Sequence, residues 1–488
     1  MVRLHAYNGF MLHPDHFFSP NASERDIARR LYALVKDLPI VSPQGHTDPS
    51  WFAKNDAFTD AATLFIKPDH AIFRMLYSQG IALERLGIAR KDGVPVEADP
   101  RKIWKLFADH WYVFRGTPTA IWLTHALDAV FGITETFSPK TADTIFDVVN
   151  AKLAMPEFKP RALLEKFKIE VIATTESPID PLNHHQALAT NPWQTKGLAS
   201  GERKGQPRVI TAYRPDPVVD PECEGFAQNI FRLGELTGED TQHYHGYIRA
   251  LENRRAFFKK MGATSTDHHH PNAETYDISD IDAAELYSRA LDGDLDEDEC
   301  DVFRGHMLME MARMSCDDGL VMQLHPGSRR NHNAKIFETF GRDKGADIPQ
   351  RNDFVHSMKP LLDRFGSEKR LTLILFTLDE TAYSRELAPL AGHYPALKLG
   401  APWWFHDSIE GMLRFRQQTT ETAGFYNTVG FSDDARTLMS IPARHDLSRR
   451  IDCRYLAQLV AEQRMSEADA AEVAVDLAYR LAKAAYKL

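Results

Sequence analysis

Cysteine is scarce in this chain of 488 residues: Cys223, Cys300, Cys316 and Cys453 stand far apart and form no CxxC pair. That spacing excludes a zinc ribbon and a disulfide framework, and the reduced thiols of a cytoplasmic protein are expected. Long apolar runs are missing as well. Nowhere is there the stretch of about 18 apolar residues that spans a bilayer, and the opening MVRLHAYNGFMLHPDHFF has no uninterrupted apolar segment of the kind a secretory leader carries. Positive charge is in deficit, with a net charge of −10, which argues against a nucleic-acid partner and leaves small-molecule chemistry as the expectation. Internal repeats are also lacking. Against these absences, 43% hydrophobic and 26% charged residues describe an ordinary globular protein with a large core.

What is present is a series of eight short apolar runs that each end in polar residues. They are Leu38 to His46, Lys168 to Glu176, Arg208 to Arg214, Ala263 to His269, Leu320 to Gly327, Arg370 to Asp379, Leu397 to Phe405 and Tyr426 to Asp434. Near-continuous Val, Ile, Leu and Thr is the pattern of parallel strands covered on both faces. Helical periodicity between the runs predicts an α/β fold, and the count predicts a (β/α)8 TIM barrel. Such a barrel carries its chemistry at the C-terminal ends of its strands, which here bear His46, Arg214, Asp267, His325, Trp403, Trp404 and Asp434. The length suits one elaborated barrel, residues 1–488, as well as two domains.

Residues 20–37 read as a helix leading into the first strand, with Asn21 or Ser23 as N-cap. About 120 residues separate the first two strands, far more than one crossover needs, so an insertion is expected there. Ile103, Leu106, Phe107, Trp111 and Phe114 recur at helical spacing, which makes a segment of about 75–165 a helical insertion whose aromatic residues form a satellite core. SGERKGQP, Ser200 to Pro207, reads as a polar turn, and the acidic run Asp292 to Glu299 as a solvated helix start rather than a calcium loop. Ser466 followed by Asp469 is a capping box for a C-terminal helix carrying Val473, Leu477 and Leu481.

Chemistry concentrates in a few motifs. GHTDP aims His46 from a strand end, LHPGSRRNHN supplies His325, Arg329 and Arg330, and Asp433-Asp434-Ala435-Arg436 puts a carboxylate and a guanidinium on one loop. Imidazoles and a carboxylate converging from different strands suit one divalent ion with open positions for substrate. Arg214 and Arg436 offer planar forks for a substrate carboxylate. Arg214 can equally pair with Asp216, Asp434 can pair with Arg436, and the Trp403-Trp404 indoles suit either a sugar face or the core.

Together these motifs resemble the uronate isomerases of the amidohydrolase superfamily. The likeness is carried by LPIVSPQGHTDPSWFAKN, DHAIFRMLYSQG, ATTESPIDPLNHH, TAYRPD, TSTDH, MQLHPGSRRNHN, WWFHD and VGFSDDARTLMSIPARHDLSRRI. The resemblance implies a hexuronate sugar acid as substrate, an aldose-ketose isomerisation through an enediol, one divalent metal, zinc, and a cytoplasmic homo-oligomer. It implies His46 and Asp434 as metal ligands, Asp434 also as base, with Arg436 and His325 catalytic. Arg214, His70, Trp403, Trp404, Arg330 and Asp267 are implied around the substrate, with His268 a further polar position. Two positions depart from the pattern. Gln44 stands where the family has its first metal histidine, and Ala71 where a tyrosine follows the rim histidine. A carboxamide oxygen is a poorer zinc ligand than imidazole, and a methyl group relays no proton. A silent uronate-binding homologue and a metal-dependent amidohydrolase are the competing expectations.

Overall fold

The structure, a computed structural model, describes residues 12–190, 193 and 207–488. The first 11 residues and the turn expected at 200–206 lie outside them. Seven parallel strands form one curled sheet, with order β1 (Ile40–Ser42), β2 (Ile169–Glu176), β3 (Arg208–Tyr213), β4 (Ser265–His268), β5 (Val321–Leu324), β8 (Leu373–Leu375) and β9 (Leu397–Leu399). A separate antiparallel ribbon, β6 (Ser328–Arg329) with β7 (Ile348–Pro349), rises from the end of β5.

The eighth expected run is not a regular strand. It touches both edges of the sheet through single parallel bridges, Leu399 to Thr428 and Gly45 to Ala435. Two backbone bonds to β9, Leu399 N to Asn427 O (2.8 Å) and Val429 N to Leu399 O (3.0 Å), and one across to the first strand, His46 N to Ala435 O (2.9 Å), carry the junction. Its irregularity has a local cause: Gly430 (φ 76°) and Asp434 (φ 45°) both take positive φ, so extended pairing cannot run through either.

Alternation along the strands divides the core. Val321 and Ile374 point inward with Val429, while Met322 and Leu373 pack outward beneath helices. The last helical turns close the interior from the chain's other end, because Tyr486 is fully buried there and its hydroxyl donates to Gln323 Oε1 at 2.8 Å.

Between β1 and β2 the chain is helical. Asp48, Asp60, Asp69 and Asp99 each cap a helix by accepting a backbone N–H, opening Pro49–Lys54, Ala61–Phe65, His70–Tyr77 and Pro100–Asp109. Trp104, fully buried, packs against Phe65, Phe107 and Phe137 and donates its indole N–H to Ala142 O. These aromatics share one cluster with Ile40, Ile169 and Ala435, so the segment is welded to the sheet edge rather than forming a core of its own. Asn21 caps the first helix, Ala22–Val35. The acidic run does start a helix, Glu297–Asp318, through a reciprocal capping box between Asp296 and Glu299. Ser466 likewise accepts from Asp469 N at the head of Glu467–Val475.

Several imidazoles are buried. Burial pushes His185 and His270 each down to about 4. A folded-state pKa below the ordinary 6.5 means that the unfolded chain takes up protons first as pH falls, so stability drops between pH 6.5 and 4. By pH 5 each of these two groups withdraws about 2 kcal/mol. Chemical denaturation at pH 7.5 and pH 5 should show that His185→Gln loses less stability over this interval than the parent, by about 2 kcal/mol.

Candidate active site

The strand ends surround a polar cavity of about 230 Å³. His46, His70, Arg214, His269, Arg330, Trp403, Trp404, Asp434 and Arg436 line it, together with Asp216, Arg342, Asp343 and Asp347. Most of the residues expected from the sequence therefore meet in one place. His325 and Asp267 lie directly beneath, 1% and 0% exposed, with His325 Nδ1 2.8 Å from Asp267 Oδ1.

Asp434 is held by three donors. Gln44 Nε2 donates to Oδ1 at 2.9 Å, His46 Nε2 stands 2.9 Å from the same oxygen, and Trp403 Nε1 donates to Oδ2 at 2.8 Å. Burial works to raise the Asp434 pKa, but His46, His325 and Arg436 outweigh it and hold the carboxyl below its ordinary range. The group is a carboxylate at neutral pH. His46 is held below the ordinary imidazole value, chiefly by burial, and so is neutral.

A second acidic centre faces it. Asp267 is fully buried, with Arg214 Nη2 2.9 Å from Oδ2 and His269 Nε2 3.2 Å from Oδ1. Burial alone would raise its pKa, yet Arg214, His269 and His325 hold it well below the carboxylate range. Arg214 also lies 3.6 Å from Asp216, whose carboxyl burial pushes up to about 6. Arg214 thus has the local partner its sequence suggested and still lines the cavity. His268, one residue past Asp267, points away and pairs with Thr266 Oγ1 at 2.9 Å.

On the opposite wall, His70 stacks on Trp404 with ring centroids 5.2 Å apart, and the Arg330 guanidinium sits 5.3 Å from the centre of the same indole. Arg330 pairs with Asp347 at 2.9 Å. Arg436 does not pair with Asp434; its ion-pair partner is Asp343 at 3.4 Å. The segment Gly341–Gly345 that delivers Arg342 and Asp343 was not picked out from the sequence. Its only signal is an Arg-Asp pair between two glycines of positive φ, which marks a turn but not its destination.

The donor chemistry decides which residues suit a divalent ion. Gln44 turns its N–H toward Asp434, and its carbonyl oxygen accepts from Ser432 Oγ at 3.1 Å. Gln44, His46 and Asp434 are therefore bonded among themselves. Among the described residues the group that does offer three ligand atoms within 4.8 Å of one another is His46, Asp267 and His269. A neutral imidazole pair and a buried carboxylate suit a divalent cation.

The family model for glucuronate isomerase matches residues 16–486. The chain is 59% identical over 477 residues to a uronate isomerase of Rhizorhabdus wittichii, covering 98% of each protein. A crystal structure of glucuronate isomerase from Caulobacter crescentus superposes with a TM-score of 0.94 at 54% identity, covering 98% of this chain and 97% of that one. The uronate isomerase of Thermotoga maritima superposes with a TM-score of 0.88 at 27% identity, covering 98% and 99%.

The indole bond to Asp434 has a measurable consequence. A hydrogen bond to a charged group contributes about 1.5–3 kcal/mol. Trp403→Phe keeps an aromatic ring against His325 and removes the donor, so urea denaturation should show a loss in that range. A variant as stable as the parent would show that the bond contributes nothing net.

Proposed function

The chain belongs to the glucuronate isomerase family of the amidohydrolase superfamily, and we infer that this cavity interconverts D-glucuronate with D-fructuronate, an aldose acid with its ketose acid. The same chemistry on D-galacturonate, giving D-tagaturonate, is part of the reading. One observation carries the assignment of roles: an ionised carboxylate, Asp434, shares a single cavity with four arginines, Arg214, Arg330, Arg342 and Arg436.

The reaction moves a proton from C2 to C1 through an enediol while a second proton passes from O2 to O1. Asp434 takes the proton from carbon and returns it to the neighbouring carbon. Its depressed pKa keeps it ionised at neutral pH, and the N–H groups of Gln44, His46 and Trp403 fix its direction. Arg436, on the same loop, steadies the negative charge that develops on the substrate oxygen, with His325 below as a further polar group. Arg214, anchored by buried Asp267, orients the substrate carboxylate with Arg330. His70 and the two indoles pack against the sugar and exclude water. Correct placement of this kind supplies about 7 kcal/mol or more in the best intramolecular cases. A divalent ion, zinc in this proposal, would add Lewis-acid charge next to a substrate oxygen, with His46 among its ligands.

The eighth run completes the ring in this reading. The whole chain, residues 1–488, works as one barrel with the helical insertion of about 75–165, in the cytoplasm and as a homo-oligomer. Among the described residues no helix is long and apolar enough to cross a membrane. Neither a hydrolase nor a silent binder is favoured for a chain so similar along its length to uronate isomerases.

Asp434→Asn should lower isomerisation by 10²–10⁴-fold, the usual contribution of a general base, while the fold persists. Turnover within about tenfold of the parent, or about 1.4 kcal/mol in barrier, would remove Asp434 from that role. Arg214→Met should weaken glucuronate binding and leave an uncharged sugar analogue nearly unaffected, as measured by calorimetry. Equal losses for both ligands would mean general disruption of the cavity.

A further inference from the structure

The chain lacks a histidine at position 44, yet it carries an imidazole that the motif reading did not use, His269. It follows Asp267 by two residues at the end of β4, and period-two alternation turns both side chains to the same side of the sheet. Across the mouth, His46 projects from beyond β1, its ring centroid 6.3 Å from that of His269. One ligand atom from each of His46, Asp267 and His269 lies within 4.8 Å of the others. A tetrahedral zinc with bonds near 2.0–2.1 Å holds its ligand atoms about 3.3 Å apart, so side-chain adjustments of about an ångström close the set.

A second observation points to a cation at this place. Asp267 is 0% exposed, and neither of its oxygens has a well-aligned hydrogen-bond donor. The buried ring nitrogens of His325 beside it have none either. A buried carboxylate in that condition demands positive charge. Arg214 supplies part of it, but its Nη2 also stands 2.5 Å from His269 Nε2, while Arg330 Nη2 stands 2.6 Å from Nδ1 of the same ring. A neutral imidazole has one lone pair and cannot accept from both guanidinium groups.

We propose that this chain holds its divalent ion with His46, Asp267 and His269, so that His269 supplies the second imidazole that Gln44 does not. The inference rests on the reading that the cavity takes one divalent ion. Gln44 is then a positioning residue, its carboxamide bridging Ser432 and Asp434. Asp434 stays outside the ligand set and keeps its lone pairs for proton transfer. The ion takes Asp267 through Oδ1 while Arg214 keeps its 2.9 Å contact with Oδ2, so Arg214 stays anchored toward the substrate carboxylate and opposes the ion as a like charge.

The test uses full-length protein stripped of metal, with zinc affinity read by competition against a chromophoric chelator and cobalt(II) binding read by visible absorption. His269→Ala should weaken zinc at least tenfold, Gln44→Ala should change it less than threefold, and Arg214→Met should strengthen it by removing the opposing like charge. His269→Cys loaded with cobalt should show a sulfur-to-cobalt charge-transfer band, which reads contact with the ion even if the alanine variant folds poorly. Loss of zinc on Gln44→Ala with no loss on His269→Ala, or a cysteine variant that binds cobalt without that band, would overturn the proposal. A parent protein that binds no zinc would overturn the metal reading itself, with this inference falling alongside it.

Discussion

The carboxylate of Asp434 ties the two ends of the sheet to one point. It draws N–H groups from Gln44 and His46 beyond the first strand and from Trp403 beyond the last. The neighbouring bridge from Gly45 to Ala435 joins the same two segments by backbone. The approach of the two sheet edges and the placement of this carboxylate are thus one event. The residue has φ 45°, a conformation that costs a side-chain-bearing residue about 1–3 kcal/mol, and three donors to one buried carboxylate offset that cost.

Charge balance explains why so many ionised groups coexist around one cavity. The cavity wall sets Arg214, Arg330, Arg342 and Arg436 against Asp216, Asp343, Asp347 and Asp434. In an interior that screens poorly, each cation needs an anion nearby, and the pairs Arg330 with Asp347 and Arg436 with Asp343 supply them. Asp343 shows the effect: Arg436, Arg330 and His70 around it hold its carboxyl far below the ordinary range although its side chain is 47% exposed. In the proposed reaction, an incoming sugar acid adds one negative charge to a wall already organised for such exchange. Preorganised charge of this kind costs no rearrangement when the reaction occurs.

The helical segment between β1 and β2 serves the same mouth. Its aromatic core is continuous with Ile40, Ile169 and Ala435, so it cannot shift without disturbing the first strands. That rigidity sets His70, at the head of one of its helices, face to face with Trp404 from the far side of the sheet. Two residues more than 300 positions apart in the chain thereby form one flat wall.

Local chemistry alone determined seven of the eight expected strands, because Val, Ile and Leu runs bounded by polar residues suit a doubly covered parallel sheet. It also determined the helix starts at Asn21, Asp296 and Ser466, where a side chain caps its own backbone within three residues. The convergence of His46, Arg214, Trp403 and Asp434 followed from strand order, since in a parallel α/β sheet every strand end faces the same rim. Partner choice did not follow. Asp434 next to Arg436 suggested a local pair, but the left-handed turn at Asp434 sends the two side chains apart, and Arg436 finds Asp343, about ninety residues earlier in the chain. Gln44 and His46 share a strand face in sequence, yet whether a carboxamide offers oxygen or N–H depends on Ser432 and Asp434, nearly 400 residues away. His269 likewise gains its meaning from Arg214, Arg330 and His46 around it. Only the curled sheet brings those groups within bonding distance, because hydrogen bonds and ion pairs act over a few ångströms and carry no trace in sequence spacing.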